Sequence, residues 1–282
     1  MSGALTDLFT SPPLRRALVE SVITGIAGGV VGVRVVLRKL SFATMALTHA
    51  TLPGVVIAAV LGINLLIGSA VFGLLVVVAI GLATRSSDLD EASGTGVVLV
   101  GGLGLGVLLA SAQSGFSKNL SAYLVGSVLT VDTTDIWITA AIAVIAIGAV
   151  VALAKELTLT AFDPGGAAAV GLPTWVLDVI LLGVVQLTLV AAVPTVGVVL
   201  SVSMLVAPGA AALMWTDRIG SATALAAVIG AACGPIGLFL SRQYDVAAGA
   251  TIALVAGAVF AISAICSPST RPVGRARRER TA

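Results

Sequence analysis

Nine stretches of mainly apolar residues, separated by short polar or glycine-rich breaks, run through the chain. They are 17–37, 46–66, 67–84, 94–113, 134–154, 174–193, 195–215, 221–241 and 246–266. A run of about 20 apolar residues is long enough to cross the hydrocarbon core of a bilayer as an α-helix. The pattern predicts an all-α, polytopic transmembrane helical bundle. We expect eight or nine spans, because only Gly62, Asn64 and Gly68 mark a turn between the second and third stretches.

The charge content agrees with a membrane protein and excludes a soluble domain. Only 10% of the residues are charged, against roughly 25% in a typical soluble domain. The net charge is +2, and no basic face for nucleic acid is expected. We predict one transmembrane domain over residues 1–270. A basic, disordered and cytoplasmic tail is predicted over 271–282.

Lysine and arginine residues are distributed unequally between the two sides of the predicted bundle. With the tail inside, the inner set is Arg34, Arg38, Lys39, Arg85, Lys155, Arg218 and five tail arginines. The outer set is Arg15, Arg16, Lys118 and Arg242. Short cytoplasmic loops carry the excess of positive charge in membrane proteins. The bias favours a cytoplasmic C-terminus, and nine spans place the N-terminus outside.

The only histidine of the chain, His49, lies inside the second apolar stretch. An ionisable side chain within a membrane span is costly, so it indicates a functional site such as an ion pathway. The alternative is a hydrogen-bonded core histidine, with Thr44, Thr48 or Thr51 as local partners.

One polar segment, residues 155–173, stands out between two spans on the predicted cytoplasmic side. It contains an Asp163-Pro164-Gly165-Gly166 turn signal and a small-residue helical stretch. A short helix in such a loop either docks onto a partner or simply connects two spans.

No phosphate-binding loop of the form GxxxxGK[ST] occurs in the sequence, so ATP binding through that motif is not expected. An ion-coupled secondary transporter, or an exporter without an ATPase, is one class of membrane protein to be weighed. Such proteins place acidic residues in their spans, whereas here only Glu20 and Asp178 come close to that position.

Four segments in order resemble the membrane permease subunit of the ABC-type importers for zinc, manganese and iron. The first is RKLSFATMALTHATLPGVVIA at 38–58, similar to the family's Asp-containing run before a His-Ala-x-x-Pro-Gly sequence. The others are LSAYLVGSVLTV at 120–131, KELTLTAFDPGGAAAVGL at 155–172, and the apolar blocks at 196–214 and 244–260.

The resemblance implies an assembly in the plasma membrane. It would contain two permease copies, two cytosolic ATPase subunits that hydrolyse ATP, and an extracytoplasmic metal-binding protein. The cargo would be a divalent Mn, Zn or Fe ion, with no tightly bound cofactor. The loop would hold the helix that couples the permease to the ATPase. Its residues would be Lys155, Glu156, Phe162, Asp163, Pro164, Gly165 and Gly171.

By the same resemblance, His49 matches a histidine taken to line the ion pathway, from both copies across the two-fold axis. The family's aspartate, four residues earlier on the same helical face, is Met45 here. A carboxylate favours Mn²⁺, whereas a thioether is neutral and soft, so this change weakens the expectation of a manganese-tuned site. Met45 is either a pathway contact or packing filler. A siderophore or vitamin permease of related architecture, whose wide cavity would not need His49, is a further alternative.

Overall fold

The computed structural model describes residues 11–86, 91–112 and 131–267. Over these ranges the chain forms helices joined by short connections, with no strand. The helices are α1 (Pro12–Leu37), α2 (Ser41–Ala50), α3 (Leu52–Leu61), α4 (Leu65–Ser86), α5 (Glu91–Ser111), α6 (Thr133–Ala152), α7 (Ala154–Phe162), α8 (Pro164–Ala169), α9 (Thr174–Val196), α10 (Val198–Leu213), α11 (Ile219–Tyr244) and α12 (Ala248–Cys266). The prediction of an all-α bundle is confirmed.

Eight helical segments in the described ranges are long and apolar enough to cross a membrane. Helices α2 and α3 together form the second of these, Ser41–Leu61. The predicted bounds 46–66 were wrong by about five residues, because Gly62 takes a left-handed conformation (φ +67°) and ends α3. The seventh predicted stretch, 195–215, contains the shorter apolar helix α10, whose start is set by a break at Gly197 (φ +84°).

Helix α1 lies at the centre of the bundle and packs against α6, α9, α10 and α11. Its glycines allow the closest approach. A Cβ atom added to Gly25 would overlap the backbone carbonyl of Gly230 in α11, and one on Gly29 would overlap that of Ala226. Gly32 meets the carbonyl of Leu205 in α10 in the same way. Small residues at these crossings let helix backbones touch, which is how membrane helices gain packing energy without a hydrophobic effect.

The second span is broken at a single residue, Thr51, which ends α2 and precedes α3. Pro53 lies in the first turn of α3, where a missing backbone N–H costs little. Proline disfavours a continuous helix through the residues before it. The break therefore places His49 in the last turn of α2, near the middle of the span.

The two ends of the bundle are identified by contacts between distant segments. At one end, Arg16 Nη1 lies 3.5 Å from Asp132 Oδ1, which joins the start of α1 to the start of α6. At the other end, Ser267 Oγ donates to the Met214 carbonyl, which joins the end of α12 to the end of α10. The end of α1 and helix α7 meet at that second end. We call it the α7 end of the bundle.

Candidate functional site

His49 is half-buried, and no hydrogen bond to its imidazole is present among the described residues. The three threonines suggested as its partners donate to backbone carbonyls instead. Thr44 donates to Leu40 O (2.9 Å), Thr48 to Met45 O (2.7 Å) and Thr51 to Thr48 O (3.0 Å). Hydroxyl-to-carbonyl bonds of this kind are common within helices. Within the described ranges the imidazole therefore has no hydrogen-bond partner, and the local threonine partners expected for a core histidine are not found.

Met45 lies one helical turn before His49, on the same side of α2. Its side chain is 46% exposed, and Phe42, a further turn towards the N-terminus, is 43% exposed. The opposite side of α2, including Ala46 and Leu47, is fully buried in the core. The Phe42–Met45–His49 side of α2 is therefore partly open within the described part of the chain.

No group of three or more His, Cys, Asp or Glu side chains in the described ranges is arranged to hold a metal ion. The two acids noted in the spans are engaged elsewhere. Glu20 is fully buried in α1, with Oε1 3.5 Å from Thr139 Oγ1 of α6. Asp178 pairs with Arg38. Within the described ranges, one chain therefore offers a single histidine and no preassembled group of three such side chains.

Two arginines from the end of α1 hold α7 and α9 in place. Arg38 donates from Nη2 to Asp178 Oδ1 in α9, and from Nη1 to the backbone carbonyl of Thr160 in α7. Arg34, within the last turn of α1, donates from Nη1 to Thr158 Oγ1 of α7 at 2.8 Å. We call these five residues the arginine clasp. In the sequence both arginines counted only as positive charges near a loop, and nothing there signalled their partners.

The segment predicted to couple to a partner forms two short helices, α7 and α8, joined at Asp163. Asp163 caps α8, since its Oδ1 accepts from the backbone N–H of Gly166 at 2.8 Å. Pro164 occupies the first position of α8, where proline is favoured. Gly171 has a φ of +81°, a left-handed conformation that favours glycine and ends the segment.

The α7–α8 segment presents an exposed apolar surface at the α7 end of the bundle. Phe162 is 68% exposed and Val170 is 70% exposed. Lys155 and Gly165 are also exposed, while Glu156 is only partly so. These two exposed apolar side chains lie in an otherwise polar and small-residue connection between two spans.

The comparison with known proteins matches nearly the whole described chain. A model of the ABC 3 transport family matches residues 11–267. The manganese transport system membrane protein MntC of Halalkalibacterium halodurans is 36% identical over 255 residues, which cover 90% of this chain and 87% of the relative. The chelated iron transport system membrane protein YfeD of Yersinia pestis is 32% identical over 261 residues, covering 93% and 88%.

A solved structure agrees with these sequence relatives. PsaBC from Streptococcus pneumoniae, in complex with a Fab, superimposes with a TM-score of 0.85 at 32% identity. The match covers 96% of this chain and 97% of the other. The resemblance stated from the four segments is thereby confirmed, although most of the second segment, 120–131, lies outside the described residues.

Proposed function

The chain is a multi-pass membrane permease of the ABC 3 transport family, and we propose that it is the permease subunit of an ATP-driven importer for a divalent transition-metal ion. Relatives with about one third sequence identity are named for manganese and for chelated iron transport. The proposed ion-binding residue is His49. It is an imidazole without a hydrogen-bond partner in the described chain, in the middle of a broken span.

In this proposal His49 ligates the ion in transit through a neutral ring nitrogen. Conduction requires binding that is strong enough to admit an ion and weak enough to release it. A single imidazole from each of two copies, with Met45 thioethers one turn away, meets that requirement. Imidazole suits Zn²⁺, Fe²⁺ and other borderline ions, while a thioether adds a soft, uncharged contact. The proposed cargo is therefore a divalent Mn, Zn or Fe ion.

The α7–α8 segment is the proposed docking site for a separate cytosolic ATPase, with Phe162 and Val170 as its apolar contacts. ATP would be hydrolysed on that subunit and not on this chain. The arginine clasp then links the docking site to the ion pathway, because Arg38 is followed directly by the α1–α2 turn that leads to His49. Movement of α7 would reach α2 through this connection and open the pathway alternately to each side.

The proposed orientation places the α7 end of the bundle in the cytoplasm. Arg34, Arg38, Lys39 and Lys155 lie at that end, in agreement with the positive-inside rule. The extracytoplasmic metal-binding protein would approach the opposite end, near Arg16 and Asp132. We retain the single permease domain over residues 1–270 and the cytoplasmic tail over 271–282 as proposals, the tail lying outside the described residues.

The alternatives considered from the sequence are less well supported. Membership of the ABC 3 family does not fit an ion-coupled carrier that works without an ATPase. A siderophore or vitamin cargo is not what the named relatives carry, although the chelated iron relative keeps iron among the candidates.

The test is metal uptake into liposomes that contain the permease reconstituted with its ATPase and metal-binding protein. His49→Ala is expected to abolish most of the uptake while the complex still assembles. Thr44→Ala, in the same helix and with its hydroxyl bound to Leu40 O, is the matched control. Unchanged uptake by His49→Ala in a fully assembled complex would remove His49 from the pathway.

A further inference from the structure

A small polar cavity lies at the break between α2 and α3. Its volume is about 10 Å³, enough for one water molecule or one small ion. Five polar side chains from four spans line it, together with three apolar residues of α9. The polar residues are Thr48, Thr51, Ser69, Gln186 and Ser201.

Three of the four hydroxyl groups around this cavity offer acceptors rather than donors. Thr48 and Thr51 already donate to the backbone of α2, at 2.7 and 3.0 Å. Ser69 donates to Leu66 O at 3.0 Å. A hydroxyl has one hydrogen and two lone pairs, so each of these three oxygens has its donor committed and can still accept.

The side-chain oxygen of Gln186 is a fourth acceptor, and no donor for it is present among the described residues. The side chain is 1% exposed and lines the cavity. Its Nε2 donates to the backbone carbonyl of Ser69 at 3.4 Å, whereas Oε1 has no partner among the described residues. A buried amide oxygen without a partner is costly and calls for an unseen ligand.

Two interruptions in the helices border the cavity. Thr51 breaks the second span, and Gly197 separates α9 from α10 four residues after Val193, a lining residue. Broken helices in membrane transporters expose backbone carbonyls that coordinate small cations, often together with side-chain oxygens. The two helix breaks beside the cavity and the oxygen acceptors of its side chains therefore both indicate a cation site.

We propose that this cavity, which we call the oxygen cavity, binds one dehydrated monovalent cation of the size of Na⁺. Its lining residues, all within the described chain, are uncharged. The energy of transferring an ion into a low dielectric rises with the square of its charge, so a divalent ion would cost about four times as much without a carboxylate to balance it. A water molecule has two hydrogens to donate and would leave some of the four acceptors unpaired.

The consequence is an ion that fixes the broken span. It would hold the α2–α3 break at Thr51 to α4 and α9, two residues from His49, and so set the position of the proposed metal ligand. The bound ion is distinct from the cargo, and its binding does not depend on the proposed metal transport.

The experiment measures thermal unfolding of the full-length permease in lipid nanodiscs. NaCl is titrated against choline chloride at constant ionic strength, without transition metal, so that transport plays no part in the result. We expect a saturable rise in Tm with Na⁺, and one ²²Na⁺ ion bound per chain at saturation.

Gln186→Leu removes the unpaired acceptor and is expected to weaken Na⁺ binding by about tenfold or more, the loss of one good ligand contact. Thr51→Val removes a second oxygen with little change in shape. Thr44→Val is the matched control, since Thr44 is equally buried in α2 and does not line the cavity. Gln186→Glu keeps the size of the side chain, and its carboxylate is expected to raise Na⁺ affinity by about tenfold through a charged contact.

Three results would overturn the proposal. A Tm that is the same in Na⁺ and choline shows that the cavity holds water only. In a separate titration with MnCl₂, saturable stabilisation by Mn²⁺ but not by Na⁺ shows that the cavity serves the cargo instead. Should Gln186→Leu fail to fold, Na⁺ affinity that is unchanged in both Gln186→Glu and Thr51→Val places the ion elsewhere.

Discussion

The guanidinium of Arg38 pairs with the carboxylate of Asp178 across 140 residues of sequence. The pair is partly shielded from water, with side-chain exposures of 14% and 31%. The same arginine also holds the Thr160 carbonyl of α7. One side chain thus joins the end of α1 to α7, the first helix of the proposed docking segment, and to α9, the span that follows that segment.

Removal of this pair should loosen the α7 end of the bundle. Arg38→Ala leaves Asp178 without its cation and Thr160 O without its donor, so we expect a loss of about 1–3 kcal/mol of stability. Uptake should fall further than ATP hydrolysis, because the ATPase would still dock. Arg38→Lys should recover only part of the stability and part of the uptake, since one ammonium group cannot make the two-pronged hydrogen bonds of a guanidinium. Thermal unfolding and uptake on the same preparations check this, and equal losses of hydrolysis and uptake would contradict the coupling role.

Met45 offers a test of ion selectivity. Met45→Asp places a carboxylate one turn before His49, and hard oxygen ligands favour Mn²⁺ over softer ions. We expect the ratio of Mn²⁺ to Zn²⁺ uptake to rise in this variant and to change little in Met45→Leu, which keeps the bulk without the sulfur. Uptake assays with each ion alone and in competition measure the ratio. An unaltered ratio in Met45→Asp would argue that Met45 only fills space.

The exposed phenyl ring of Phe162 tests the docking surface. Phe162→Asp is expected to weaken association with the ATPase subunit by about 2 kcal/mol or more, as hot-spot aromatics do at interfaces. Trp137→Asp is the control, because Trp137 is also highly exposed, at 76%, but begins α6 at the opposite end of the bundle. Co-purification of the ATPase reports the result. Retention of the ATPase by Phe162→Asp would move the docking surface away from α7–α8.

The glycine crossing of α1 with α11 predicts a sharp difference between two similar substitutions. Gly29→Ala puts a methyl group against the Ala226 carbonyl, which is backbone and cannot turn aside. We expect a loss of about 1–3 kcal/mol. Gly148→Ala in α6 meets no described atom within 4 Å and should be neutral or slightly stabilising. Unfolding in detergent measures both variants, and equal stability would contradict the close crossing.

The spans could be predicted from the sequence because hydropathy alone fixes how much chain lies in the bilayer. Their ends were less certain where apolar residues continue through a turn. Ile63, Leu65 and Leu66 extend the second apolar stretch beyond Gly62, although the left-handed glycine ends the helix there. The relevant signal was present in Gly62 itself, but a glycine in a membrane helix is also common as a packing residue.

Only part of the proposed site could be predicted from the sequence. His49 and the Phe162–Asp163 turn were singled out because each is unusual among its sequence neighbours. The arginine clasp and the oxygen cavity were not found, because their members come from helices far apart in the chain and each residue is ordinary where it stands. Threonine, serine and glutamine in a span look like packing residues until the fold brings their oxygens to one place.

The glycine contacts of α1 with α10 and α11 also limit how the permease can move. Backbones that touch at Gly25, Gly29 and Gly32 cannot slide or rotate past one another without collision. We therefore expect these three helices to move together as one unit. Bending would then occur outside that unit, and the interruption of the second span at Thr51 is the candidate hinge.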